Sequence, residues 1–339
     1  MANFTAGAFG VDFDQLDFGA LATAAQFGVT PTSLGLILGG HVTDFFGGGF
    51  QFAATGPATD GLIAIIIVDP GPLQVYEITN LALSASLFRG WVLADDNASA
   101  KAAIFASPDQ ILGSAFDDRL RGFAGDDVIN AGAGNDFVDG GDGGDQLFGE
   151  AGNDTVVDPG GANYLRGGEG DDLVLGGAGF DDINGNQGND TASGGPGDDW
   201  VVGGKDNDVL SGDDGGDLVY GNLGDDTLDG GTGADTVRGG QGNDSLMGGA
   251  GADFVSGDRG DDTMAGGSGA DIFHSSSDAG IDRVLDFSVA EGDRVQLDLG
   301  TAYTMAQVGA DTVITMSAGQ VVLVGVSMSS LAAGSVFLA

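Results

Sequence analysis

The chain has 339 residues, 66 of them glycine, and its 51 acidic against 10 basic side chains give a net charge of −41. Such a charge repels nucleic acid and anionic membranes and draws divalent cations, so no nucleic-acid partner is expected. Cysteine is absent and His41 and His274 are the two histidines, which excludes disulfides, thiolate metal sites and an imidazole-rich zinc site.

The chain begins MANFTAGAFGVDFDQLDF, without the basic start and apolar run of a cleaved secretory signal. Its longest apolar run, LIAIIIV at 62–68, is far short of the roughly 20 residues of a membrane helix, so no transmembrane segment is expected. Residues 1–105 are rich in Phe and poor in charge. Strands are predicted at 33–38, 40–46, 49–54, 61–68 and 74–79, between Gly and Pro breaks. ALSASLF at 82–88 and NASAKAAIFA at 97–106 read as helices. Residues 1–112 are therefore expected to form a small mixed β/α domain of unknown role.

From Gly113 to His274 the chain divides into 18 nonapeptides without an insertion, as in GGQGNDSLM at 239–247. Position 6 is Asp in 17 of 18 and positions 1 and 4 are Gly in 16 each, while position 8 is apolar throughout. A repeat of this kind means a solenoid. Each nonapeptide reads as a six-residue loop and a three-residue strand. Glycines at loop positions 1, 2 and 4 permit positive φ and leave carbonyls free to turn inward. Asp at position 6 adds a carboxylate, and calcium favours such a mixture of six to eight oxygens. Two repeats make one 18-residue turn, so Asp244 should neighbour Asp226 and Asp262 rather than Asp235 and Asp253. Nine turns at about 4.8 Å each make a roll of about 43 Å. Residues 113–274 carry 34 acidic and 6 basic side chains, a net −28. About 14 calcium ions would cancel that charge, and the stack offers up to about 16 sites. Only one side chain in nine points inward, so metal binding has to supply folding energy.

These residues resemble the RTX family, whose repeat has the form G-G-x-G-x-D-x-U-x. The segments GADIF, DRVLDF and GDRVQLDL after the array resemble the family's closing region. The resemblance implies an all-β-dominated fold: a right-handed parallel β-roll over 113–274, followed by a β-rich cap at 275–339. It implies calcium on Asp118, Asp127, Asp136, Asp145, Asp154, Asp172, Asp181, Asp190, Asp199, Asp208, Asp217, Asp226, Asp235, Asp244, Asp253, Asp262 and Asp271. It also implies an extracellular or cell-surface protein, exported unfolded through type I secretion machinery by an uncleaved C-terminal signal around 285–339. Calcium outside the cell would then fold it. Asn163 at position 6, and Asp206 and Phe116 at position 4, depart from the pattern, and weak or absent calcium is expected there.

The position-5 acids Asp117, Asp126, Asp198 and Asp225 read as solvated surface. His41 and His274 read as structural. Asp286 and Asp293 are candidates for a further calcium or for capping strand ends. Closing strands are expected at RVLDF, RVQLDL, DTVITM and QVVLVGV. No H-E-x-x-H and no G-x-S-x-G occurs, so neither the metalloprotease nor the lipase signature is present and no enzyme is expected. Even-numbered repeats place Phe148, Tyr164, Trp200, Tyr220 and Phe254 on one outer face; odd-numbered ones place Phe137 alone on the other. The leading expectation is a non-enzymatic structural or adhesive protein, self-associating head to tail or through that aromatic face. The alternatives are a secreted enzyme or effector with an unrecognised N-terminal site, and a plain calcium buffer.

Overall fold

The computed structural model describes residues 3–5, 33–38, 63–69, 74–81, 108–113, 115–276 and 280–339. The chain divides into two compact units, Met1–Tyr164 and Leu165–Ala339. The fold is an all-β parallel β-solenoid, and the single 3-10 turn Met328–Ser330 is the one helical element among the described residues.

In the first unit, Ser33–Leu38, Ile63–Asp69, Gln74–Leu81 and Asn3–Thr5 pair antiparallel in that order. Asn3–Thr5 then pairs parallel with Gln110–Leu112. The strands predicted near 33–38, 61–68 and 74–79 are thus found. Those at 40–46 and 49–54, and the helices at 82–88 and 97–106, lie outside the described residues. From Gln110 the pairing is parallel. Gln110–Leu112, Val128–Ala133 and Gln146–Ala151 form one sheet. Arg119–Ala124, Phe137–Asp142 and Thr155–Val157 form the other. Parallel pairing therefore begins half a turn before Gly113.

The second unit repeats this arrangement. Trp200 pairs with Leu218 and Val201 with Val219 in one sheet, and Leu210 with Leu228 in the other, each partner 18 residues on. Position 8 supplies the interior, from Val174 to Phe273, at no more than 3% exposure. Pairing continues after the last repeat. Ile281–Val284 adds to Thr263–Ser268, and Arg294–Leu297 adds to Ile272–Ser275. Gln320–Leu323 and Val336–Leu338 extend these two in turn, also parallel. Thr304–Val308, Asp311–Thr315 and Gln320–Leu323 close the unit as an antiparallel meander.

Two local expectations are corrected. Most strands are six residues long rather than three, because positions 1 to 3 of the next repeat continue the ladder, as in Val128–Ala133 against Gln146–Ala151. Position 1 is also not a positive-φ position. Positive φ falls at positions 2 and 4, as at Gly132 and Gly134. Position 1 is glycine for lack of space: a Cβ on Gly221 would lie 2.2 Å from Asp226 Oδ2 and 2.6 Å from Gly239 O.

Candidate metal centre

Each turn ends on position 6, immediately before the strand residue that enters the sheet. The backbone there points its N–H along the stack, and the short Asp side chain reaches back to it. Asp226 N–H donates to Asp244 Oδ1 and Asp244 N–H to Asp262 Oδ1, both at 2.8 Å. The neighbours of Asp244 are therefore those the 18-residue turn predicts. The same bond recurs from Asp109 to Asp127 and from Asp118 to Asp136 in the first unit, at 2.7 Å. It recurs from Asp172 to Asp190 and from Asp253 to Asp271 in the second, at 2.9 and 3.0 Å. All the position-6 aspartates, from Asp118 to Asp271, are at most 4% exposed.

One carboxylate oxygen is used in each ladder; the other is left over. Oδ2 of Asp127, Asp136, Asp199, Asp217, Asp244 and Asp253 is buried and receives no hydrogen bond. A buried carboxylate oxygen without a partner is costly. Those of Asp127, Asp199, Asp217 and Asp253 lie beside a position-1 glycine with the next position-1 carbonyl near: at Gly212, Asp217 Oδ2 and Gly230 O lie 2.4 and 2.5 Å from the place a Cβ would take. A buried carboxylate oxygen with backbone carbonyls close by is the mixture of donors that calcium takes. Among the described residues no three acidic or histidine side chains gather as a metal cage. Bound there, calcium would supply the positive charge that joins one turn to the next.

The electrostatics point the same way. Burial, opposed by the incoming N–H and reinforced by neighbouring carboxylates, pushes Asp127 up to about 8 and Asp244 and Asp208 to about 7. Asp190 and Asp253 are pushed to about 6. Without a cation these groups favour protonation.

Three residues, Asp109, Asp282 and Asp158, escape the sequence reading, whereas Asp293 is a candidate there for a further calcium or a cap. Asp109 is 2% exposed and begins the ladder, and Asp293 ends it by accepting the Asp271 N–H at 3.1 Å. Asp282 is fully buried beside Asp262, takes the Ser275 hydroxyl at 2.8 Å, and is pushed up to about 8 chiefly by burial. A signal existed: Asp-x-apolar, the core of positions 6 to 8, recurs at 109–111, 282–284 and 293–295 without the glycines. Asp158 is taken up below. Asp286 caps the strand end at Gly266 and Gly267, accepting both N–H groups.

The position-5 acids have a structural task beyond solvation. Asp117, Asp126, Asp198 and Asp225 each accept a backbone N–H from the next turn, at 2.7–3.1 Å. This outer ladder runs opposite to the buried one. His274 stacks on Phe254 and bridges Ser256 and Asp298 at 3.0 and 3.3 Å. His41 lies outside the described residues.

The family model for the RTX calcium-binding nonapeptide repeat matches in overlapping copies from residue 106 to 281, more than half of the chain. The chain belongs to the RTX repeat family. RTX repeats bind calcium, and proteins that carry them are typically secreted. Among solved structures, the chain is similar to the extracellular lipase LipA of Serratia marcescens, at 21% identity and a TM-score of 0.24. That match covers 53% of this chain and 40% of the lipase. It is also similar to the AlgE6R3 subunit of the Azotobacter vinelandii mannuronan C5-epimerase, at 24% identity and a TM-score of 0.18, covering 41% of this chain and 77% of that one. No curated protein matches. No helix among the described residues is long and apolar enough to cross a membrane.

Proposed function

We propose that this RTX protein is exported by the type I route, folds on meeting calcium outside the cell, and serves there as a non-enzymatic structural or adhesive component. The position-6 aspartates are its calcium ligands. The adhesive part of the reading rests on the outer face of the even-repeat sheet in the second unit. Trp200 is 50% exposed and Phe180 43%, and the two rings meet edge to face at 5.7 Å. Aromatic pairs left open to water mark contact sites more often than chance placement does. Beside them runs a groove of about 920 Å³ lined by Lys205, Tyr220, Arg238, Asp258 and Arg259 among amide side chains, with Arg238 paired to Asp258 at 2.7 Å. Those three cations are all the Lys and Arg between 167 and 282. The face thus offers an aromatic pair and a polar groove with Lys205 and Arg259 to a second copy or a surface polymer.

The test is the size of the secreted protein in calcium and in chelator. Calcium-dependent assembly, reduced by Trp200→Ser, supports the reading. A strict monomer in calcium that also fails to bind cell-surface material contradicts it.

A further inference from the structure

The repeat at 158–166, DPGGANYLR, breaks the pattern twice: Asp158 stands where position 1 is glycine, and Asn163 where position 6 is aspartate. Asn163 keeps half of the aspartate's task, since its Oδ1 accepts the Asp145 N–H at 2.9 Å. In place of a second carboxylate oxygen it brings an amide nitrogen. A carboxylate is thus missing from this repeat's own turn.

The missing charge reappears one turn earlier. The place a Cβ would take at Gly140 lies 2.1 Å from Asp158 Oδ2 and 2.4 Å from Asp145 Oδ2. In the regular repeat at Gly122 the same place meets Asp127 Oδ2 at 2.2 Å and the carbonyl oxygen of Gly140 at 2.5 Å. Beside Gly140 the Asp158 carboxylate is thus the nearest group, whereas Asp127 alone supplies a carboxylate beside Gly122. The Gly160 N–H holds Asp158 Oδ1 at 3.1 Å and so turns Oδ2 inward. Asp145 and Asp158 are 1% and 2% exposed, and a hydrogen bond between the two carboxyls, which needs a proton on one of them, works against the burial that raises Asp145. Two ionised carboxylates facing one dry space repel each other strongly unless a cation lies between them.

We propose that Asp158 is a calcium ligand outside the repeat pattern, forming with Asp145 a two-carboxylate site between the turns at 140–148 and 158–166. The inference rests on the calcium reading of the array and corrects where its weak point falls. The site beside Asp145 gains charge, and the one that Asn163 would have completed loses it. Calcium affinity follows the number of charged ligands, so the 140–148 turn should order at lower calcium than its regular neighbours.

Hydrogen exchange of the full chain, followed by mass spectrometry across a calcium titration, tests this. Peptides covering 140–157 report the site and those covering 203–256 serve as internal reference. Asp158→Asn and Asp158→Gly should each raise the calcium midpoint of 140–157 about tenfold and leave 203–256 unmoved. Asp158→Gly combined with Asn163→Asp restores the position-1 glycine and the position-6 aspartate and should recover most of the loss. An unchanged or lowered midpoint in Asp158→Asn would mean that the two carboxyls merely share a proton, and would overturn the proposal. Absence of calcium-dependent protection in every peptide would instead overturn the wider reading.

Discussion

Within the second unit, the repeats up to residue 274 and the closing segment from 280 are both sheets, yet they are held together differently. In the repeats one side chain in nine is an interior apolar group, such as Val219 or Val237, and the same turns bury a carboxylate apiece. In the closing segment Val284, Phe287, Val295, Leu297, Ile314, Met316, Val321 and Leu323 are buried within 40 residues. The first is a ladder of hydrogen bonds and unbalanced charge; the second is an ordinary apolar core with an antiparallel meander. The difference teaches that glycine-rich turns give a regular backbone at the cost of the burial that usually stabilises it. The cohesion must then come from a ligand.

The largest way to break this comparison is through the charge on the rungs, since it touches every turn at once. Burial raises the ladder carboxyls to between about 6 and about 8 at Asp190, Asp244 and Asp127. Without metal the folded repeats thus hold more protons than the unfolded chain. Their stability is greatest below the ordinary carboxylate pKa of about 4 and is lost as pH rises through these values. In chelator, strand content should grow as pH falls from 8 to 4. In calcium, where protons compete with the ion, the calcium midpoint should rise over the same range. Circular dichroism at both conditions checks the crossing, and parallel trends contradict it.

Next in size is Phe273→Ala. Phe273 is the last position-8 residue, fully buried, and its ring lies 6.1 Å from that of Phe287 in the closing segment. Its loss should cost about 3–5 kcal/mol in saturating calcium, read from urea unfolding. A loss below about 1 kcal/mol would mean that the two parts do not share a core. Asp244→Ala removes the acceptor of the Asp226 N–H and should cost about 1–3 kcal/mol, with a higher calcium midpoint. Asp225→Ala removes an exposed rung of the outer ladder and should cost at most about 1 kcal/mol without moving that midpoint. Equal effects of the two would deny that the inner ladder is special.

Much of this was legible in the sequence because an unbroken nine-residue register fixes both neighbours and faces. Asp244 beside Asp226 and Asp262, and Val201 inward with Trp200 outward, follow from spacing alone. What stayed hidden depends on departures from that spacing. Asp293 is a candidate for calcium or a cap, but it follows Asp271 by 22 residues rather than 18, so its place as a rung falls out of register. Asp109 lacks the glycines that announce a turn. Asp158 looks like a defect at position 1, and only the folded structure shows its carboxylate beside Gly140 in the turn before. The task of the position-5 acids was missed for another reason: side chains that accept a neighbouring turn's N–H look, in sequence, like solvated charge.

The most direct measurement is strand content and amide protection of the full chain at neutral pH after exhaustive chelation, followed by return of calcium. The repeats should exchange freely without the ion, with protection persisting longest in Asp311–Thr315 and Gln320–Leu323, and should recover when calcium returns. Repeats that keep full protection in chelator would contradict the claim that bound cations hold these turns together.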